Sequence, residues 1–222
     1  MRFEANLGGP RGVTKTVVLA SASPRRTELL RALIDTFEVL PSDVPEPLTG
    51  DPHADSISLA AAKALAISVL RPGAVVIGAD TIVYEGSNLY GKPLDAADAV
   101  AMLRALSGRE HGVVTGVAVV EEGDSDAGWS EARITLADLS DAQIAAYVAS
   151  GRPMDKAGAY AIQDDDVPTV ATRDGCYCCT MGLPLWRLKR MLEARGLTCR
   201  EPGETLTQCI DCPERDGGEQ PR

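Results

Sequence analysis

Cysteine is missing from residues 1–175 of this 222-residue chain, and all six cysteines (Cys176, Cys178, Cys179, Cys199, Cys209, Cys212) crowd into its last fifth. A disulfide framework therefore does not build the body of the protein; a chain this long buries about 70–75% of its extended surface and needs no staples. Aromatic residues are scarce at 4%, and 22 basic side chains face 32 acidic ones, for a net charge of −10. A general nucleic-acid binder needs a basic footprint and stacking platforms, so that class is excluded, while a local basic pocket for a small anion stays open. No segment reaches the ~18 uninterrupted apolar residues of a membrane helix. Glu4 and Gly8-Gly9 stand where an export signal would carry its apolar core, so the expected compartment is the cytoplasm. There, crowded cysteines suggest thiols or a metal before disulfides.

Several catalytic signatures are missing as well. There is no G-x-x-x-x-G-K-[ST], no strand-linked G-x-G-x-x-G and no H-E-x-x-H, and only His53 and His111 could serve a serine hydrolase. Kinase, dinucleotide-binding and metalloprotease readings lose their support.

What is present alternates between helix and strand. Val17-Val18-Leu19-Ala20 is a short apolar strand leading into Ser21-Ala22-Ser23-Pro24-Arg25-Arg26, where Ser23 reads as a helix N-cap and Pro24 as the first helical residue. Residues 37–54 are proline-rich and read as extended or loop. The spacing predicts helices over 56–70, 96–106, 141–149 and 184–194, and strands over 74–77, 113–120, 129–136 and, weakly, 167–171. Residues 155–163 read as loop or short strand. The order implies a three-layer α/β domain over residues 1–197 with a central mixed sheet. Residues 198–222, rich in Gly, Pro and Glu, read as an appended tail open to flexibility.

The strongest chemical signal is the loop before the first helix. Two arginines in a first helical turn oppose the macrodipole at about 0.3–1 kcal/mol each, unless an anion takes contacts from both. Ser21, Ser23, Arg25 and Arg26 could form a phosphate cradle, or the arginines could simply face water. Lys63 lies on an apolar stripe with Leu59, Ile67 and Leu70, where it either snorkels, the commoner outcome, or meets a buried anion. Asp80 follows Val75-Val76-Ile77 and so falls at the carboxyl end of a buried strand, either as a ligand-side carboxylate or as a turn residue. Lys92 and Lys156 each neighbour a glycine and could meet phosphate oxygens or sit in solvated turns. Gln163 could read a base edge or face water.

In order, these segments closely resemble the Maf family of septum-formation-associated nucleotide pyrophosphatases. The resemblance is carried by Leu19-Ala-Ser-Ala-Ser-Pro-Arg-Arg26 with Glu28-Leu29-Leu30, Ser42-Asp43-Val44 with Glu46, Ala62-Lys63-Ala64, Gly78-Ala-Asp-Thr-Ile-Val83 and Gly91-Lys92-Pro93. It continues in Leu106-Ser107-Gly108 with His111, Asp155-Lys-Ala-Gly-Ala-Tyr-Ala-Ile-Gln163 and Gly182-Leu183-Pro184-Leu185.

It implies an α/β fold with two lobes around a substrate cleft, and hydrolysis of the α–β phosphoanhydride of a nucleoside triphosphate with a divalent cation, Mg²⁺ or Mn²⁺. Ser21, Ser23, Arg25, Arg26, Thr81, Lys156 and Gln163 would bind substrate. Asp80, Glu46, Lys92 and Lys63 would be catalytic, with Asp80 and Glu46 holding metal or activating water. Arg25 after the proline, and Ala79-Asp80-Thr81, resemble the dTTP/UTP-directed branch; the branch acting on 7-methyl-GTP usually shows tryptophan after the proline and Ser-Asp-Gln. A 7-methyl-GTP or noncanonical purine substrate is the alternative, as is a non-catalytic division regulator or metal-binding module. Homodimers are common in the family it resembles, so a homodimer is open, with no polymer of nucleic acid and no membrane as partner.

The chain departs from the family pattern at Ala161, at Asp164-Asp165-Asp166, and in Gly175-Cys176-Tyr177-Cys178-Cys179. Cys209-x-x-Cys212 has the spacing of half a zinc site to which Cys176, Cys178 or Cys179 could contribute, against unpaired thiols or a disulfide.

Overall fold

A computed structural model describes residues 15–164 and 169–217. Seven strands form one mixed sheet in the order β2-β1-β3-β5-β6-β7, with β4 pairing on β3. They are β1 (Val17–Leu19), β2 (Glu38–Val39), β3 (Val75–Glu85), β4 (Asn88–Tyr90), β5 (Glu110–Glu121), β6 (Asp124–Leu136) and β7 (Val170–Gly175). Strands β2, β1 and β3 run parallel; every other pairing is antiparallel. Seven α-helices, α1 (Pro24–Arg31), α2 (Pro52–Leu70), α3 (Ala96–Leu106), α4 (Asp141–Ala149), α5 (Tyr177–Thr180), α6 (Leu185–Ala194) and α7 (Pro202–Thr205), cover the sheet among the described residues.

Strand alternation sorts the core into layers. Val18, Ala20, Val76, Ala118 and Val120 face α2, whereas Leu19, Val75, Ile77, Val117 and Val119 face α1 and α6. At the far end of the sheet, Val83, Val113, Ile134 and Leu136 pack on α3 and α4 as a further core. Local chemistry starts the helices: Ser23 accepts from the Arg26 N–H ahead of Pro24, Asp51 caps α2 ahead of Pro52, and Ser140 with Gln143 makes a reciprocal capping box. The long β5–β6 hairpin closes on Glu122 and Gly123, both at positive φ as a two-residue turn requires.

Several expectations are corrected. Helix α2 begins at Pro52, four residues before the apolar pattern, because Asp51 and Pro52 start it. Residues 152–155 and 157–159 are 3₁₀ turns and form no strand. The last strand runs from Val170, later than expected, and Val167, like Asp165 and Asp166, lies outside the described residues. Within residues 198–217, Cys209 and Cys212 belong to the core on the α6 side, with Cys199 and Leu206 packed against it.

Helix α2 is long and apolar enough, by length and composition, to cross a membrane. Here one face of it, with Ser56, Leu59, Ala60, Lys63, Ala64 and Ile67, is buried against β3 and β5, while Leu65, Val69 and Leu70 on the outer face are exposed. A Cβ on Gly78 would fall 2.1 Å from the Ala60 carbonyl oxygen, and one on Gly116 2.2 Å from that of Ser56, so the helix lies directly on two strand backbones. That approach sets the geometry of the site.

Candidate active site

Asp80 does not end its strand. Thr81, Ile82, Val83 and Tyr84 carry β3 onward, paired with β5 from Val76–Val120 to Tyr84–Gly112, which places Asp80 mid-strand opposite Gly116. It shares the α2 face with Gly78, two residues back, and is only 8% exposed. From α2, Lys63 reaches it: Nζ lies 2.5 Å from Asp80 Oδ1 and 2.6 Å from Glu46 Oε1. Lys63 therefore does not snorkel. It is buried as the shared cation of two carboxylates, which offsets the cost of burying its charge. Burial opposes ionisation of Glu46, but the hydrogen bond and charge of Lys63, with Lys92 and Arg26 beyond, hold its carboxyl below the ordinary value.

The second half of the site is the β1–α1 loop. Arg26 is held at all three of its nitrogens: Nε donates to the Gly182 carbonyl at 2.7 Å, Nη1 to Ser21 Oγ at 3.3 Å and Nη2 to Thr81 Oγ1 at 3.0 Å. These acceptors are all neutral, so its positive charge is not cancelled by a contacting carboxylate. Burial pulls the guanidinium below its ordinary pKa, with Asp80 working the other way and Arg25 adding to the fall. Ser21 Oγ also accepts from the Ser23 N–H at 3.2 Å, and so fixes the loop and Arg26 together. Thr81 bonds Thr115 at 2.9 Å, and Thr115 donates to the Cys179 carbonyl at 2.7 Å, which ties Arg26 through β3 and β5 to α5.

These groups open onto a cleft of about 390 Å³ lined from both sides by the β1–α1 loop, α2, β3, the Gly91-Lys92 turn and the 3₁₀ segment 155–162. Of the residues expected in a site, Ser21, Ser23, Arg25, Arg26, Glu46, Lys63, Asp80, Thr81, Lys92 and Lys156 all line it; Gln163 does not, and is exposed. Arg25 reaches across to Asp155 at 3.4 Å, and Lys156 Nζ bonds the Asp155 carboxylate at 2.6 Å and the Arg152 carbonyl at 2.5 Å. Lys156 and Arg25 outweigh the burial of the Asp155 carboxyl and hold it below the usual range. Asp164 accepts from the Tyr147 hydroxyl and is not part of the lining.

Local pattern did not single out Asp155, Thr115 or the Gly182 carbonyl as site groups. Tyr160 was missed too. It lines the cleft, and its hydroxyl meets Nε2 of buried His111 at 2.6 Å.

Five cations and three carboxylates thus face one cleft, an arrangement suited to a polyanion with a reacting oxygen held near Asp80. Among the described residues, no group of three or more His, Cys, Asp and Glu side chains is disposed to hold a metal alone. Asp80 and Glu46 are two hard oxygen donors brought within reach of one ammonium. This set suits a small divalent cation that completes its shell with water and phosphate oxygens.

The family described as Maf-like protein matches residues 16–195. Among curated relatives, the dTTP/UTP pyrophosphatase of Geobacter sulfurreducens is 48% identical over 185 residues, covering 81% of this chain and 96% of the relative. That of Thermomicrobium roseum is 42% identical over 203 residues, covering 89% and 93%. That of Koribacter versatilis is 44% identical over 183 residues, covering 82% and 95%.

Proposed function

The chain belongs to the Maf family, and we propose that it hydrolyses the α–β phosphoanhydride of dTTP or UTP, releasing the monophosphate and pyrophosphate. The observation that carries this reading is the convergence of Arg25, Arg26, Lys63, Lys92 and Lys156 on one cleft of a chain whose net charge is −10. A triphosphate brings about four negative charges, and only clustered cations overcome the background repulsion.

The roles divide by how firmly each cation is held. Arg26, locked by Gly182, Ser21 and Thr81, is a preorganised positive charge that needs no rearrangement to meet phosphate oxygens. Arg25 is held only by its exposed pair with Asp155, an interaction of about 0–1 kcal/mol, and can exchange that carboxylate for a phosphate. Lys92 and Lys156 approach from the opposite side and would steady the leaving pyrophosphate. Asp80 is the base: its carboxylate, kept in place by Lys63, accepts a proton from the water that attacks the α-phosphorus in line with the departing oxygen. Glu46 and Asp80 would hold a divalent cation, Mg²⁺ or Mn²⁺, which when bound supplies charge neutralisation on the phosphates. Arg25 after Pro24, and Thr81 beside Arg26, favour the pyrimidine-directed branch over the 7-methyl-GTP one.

Pyrophosphate release is measured on a panel of dTTP, UTP, CTP, 7-methyl-GTP and deaminated purine triphosphates with Mg²⁺ or Mn²⁺. Fastest turnover of dTTP and UTP, lost in Asp80→Asn, is expected. Turnover of none of the panel overturns the enzyme reading, and preference for 7-methyl-GTP overturns the branch.

A further inference from the structure

Away from the cleft, four cysteine sulfurs from two distant segments meet beneath α6. Cys176 caps α5 and Cys178 lies within it; Cys209 closes a 3₁₀ turn and Cys212 follows. Their exposures are 1%, 0%, 1% and 6%, respectively. Cys178 Sγ lies 2.8 Å from Cys209 Sγ, and Cys176 and Cys212 belong to the same buried core cluster, close enough for each thiol to shift the acidity of the other. The sulfurs thus form two pairs, each joining α5 to residues 209–212. Zinc ligands about 2.3 Å from a tetrahedral ion stand roughly 3.8 Å apart, so the Cys178–Cys209 spacing is too tight for two ligands of one metal. Among the described residues, no group of three or more of these thiols is disposed to hold one metal ion.

We propose that Cys176–Cys212 and Cys178–Cys209 are a disulfide-forming site, oxidised by a low-molecular-weight disulfide, which staples residues 198–217 onto α5. The site rests on the thiol geometry and is independent of the reaction assigned to the cleft. Cys212 is the entry point. It is the most exposed of the four, and its interaction with Cys176 outweighs burial and brings its thiol down to about 7, while the partner sulfurs, with burial, push Cys176 and Cys178 up.

The Cys212 thiolate attacks one sulfur of RSSR and expels one RS⁻; Cys176 then attacks Cys212 Sγ, its proton passing to solvent, and expels the second. The inner pair follows by exchange. Cys209 attacks the new disulfide at Cys212, Cys178 resolves onto Cys209, and the freed Cys176 and Cys212 consume a second RSSR. Two protein disulfides form as two RSSR become four RSH. The staple fixes the segment whose Gly182 carbonyl holds Arg26 and whose Cys179 carbonyl holds Thr115.

The full chain, purified anaerobically with reductant, is incubated with oxidised glutathione, alkylated, and digested with trypsin without reduction. Peptide 174–187 is expected to be linked to peptide 201–215, with Cys179 and Cys199 alkylated. The oxidised protein should melt at least about 5 °C higher, reversibly with dithiothreitol. Cys212→Ser should slow linkage at least tenfold, the wild-type map standing by itself if that variant does not fold. Thiols still free after prolonged oxidation, links through Cys179 or Cys199, or stoichiometric zinc purifying with the chain and shielding all four sulfurs would each overturn the proposal.

Discussion

Acidification tests the interior through one residue. His111 is 1% exposed, with Nε2 2.6 Å from the Tyr160 hydroxyl and Nδ1 3.4 Å from the Arg109 carbonyl. The neutral ring suits both neighbours: Nδ1–H points at the carbonyl, and Nε2 accepts the tyrosine proton. A second proton would have to sit on Nε2, against that donor. Burial, only partly opposed by the Arg109 carbonyl and Glu85, brings the imidazole down to about 4 from its ordinary 6.5. Between those values the unfolded chain binds a proton that the folded chain refuses, so stability rises with pH; it is complete above 6.5 and lost as pH falls towards 4. A gap of about 2.5 units at about 1.4 kcal/mol each gives about 3 kcal/mol. Urea unfolding of wild type and His111→Gln at pH 7.5, 6.5, 5.5 and 4.5 isolates this term, since carboxylate titration is common to both. The wild-type advantage should stay nearly level between pH 7.5 and 6.5 and then shrink by up to about 1.4 kcal/mol per unit as pH falls to 4.5. Parallel curves would refute a neutral buried imidazole.

Three further outcomes follow from distances in the fold and the cleft. Gly116→Ala drives a methyl group into the Ser56 backbone and should lower Tm by roughly 5–10 °C in a calorimetric scan, the upper range of overpacking. Arg26→Lys keeps the charge but can satisfy only one of the three acceptors well, so kcat/KM for dTTP should fall about 10–100-fold with folding intact by circular dichroism. Asp155→Asn frees Arg25 from its exposed pair and removes a negative charge from the cleft, so KM for dTTP should drop severalfold while Tm barely changes; a rise in KM would mean that Asp155 positions Arg25 and Lys156 productively.

Legibility in the sequence followed the range of the forces involved. Ser23-Pro24 acts within four residues, and that helix start could be read directly; the helices from 96 and 141 follow from apolar spacing, with Asp95 and the Ser140–Gln143 box found at their starts in the structure. Lys63 could not be resolved the same way. Its apolar stripe on α2 is the same for a snorkelling lysine and a buried one, and its partners come from a loop 17 residues earlier and a strand 17 residues later. What decides between them is the absence of side chains at Gly78 and Gly116, which lets α2 settle onto β3 and β5 until Nζ touches Asp80.

The same contact explains why a carboxylate that looked like a strand end is mid-strand. Neutralised by Lys63, Asp80 can remain in the pairing with β5 instead of turning towards water. Two glycines with no catalytic chemistry of their own thus determine whether the lysine and the carboxylate form a pair at all. Enlarging either should separate them and damage the cleft before any charged residue is changed.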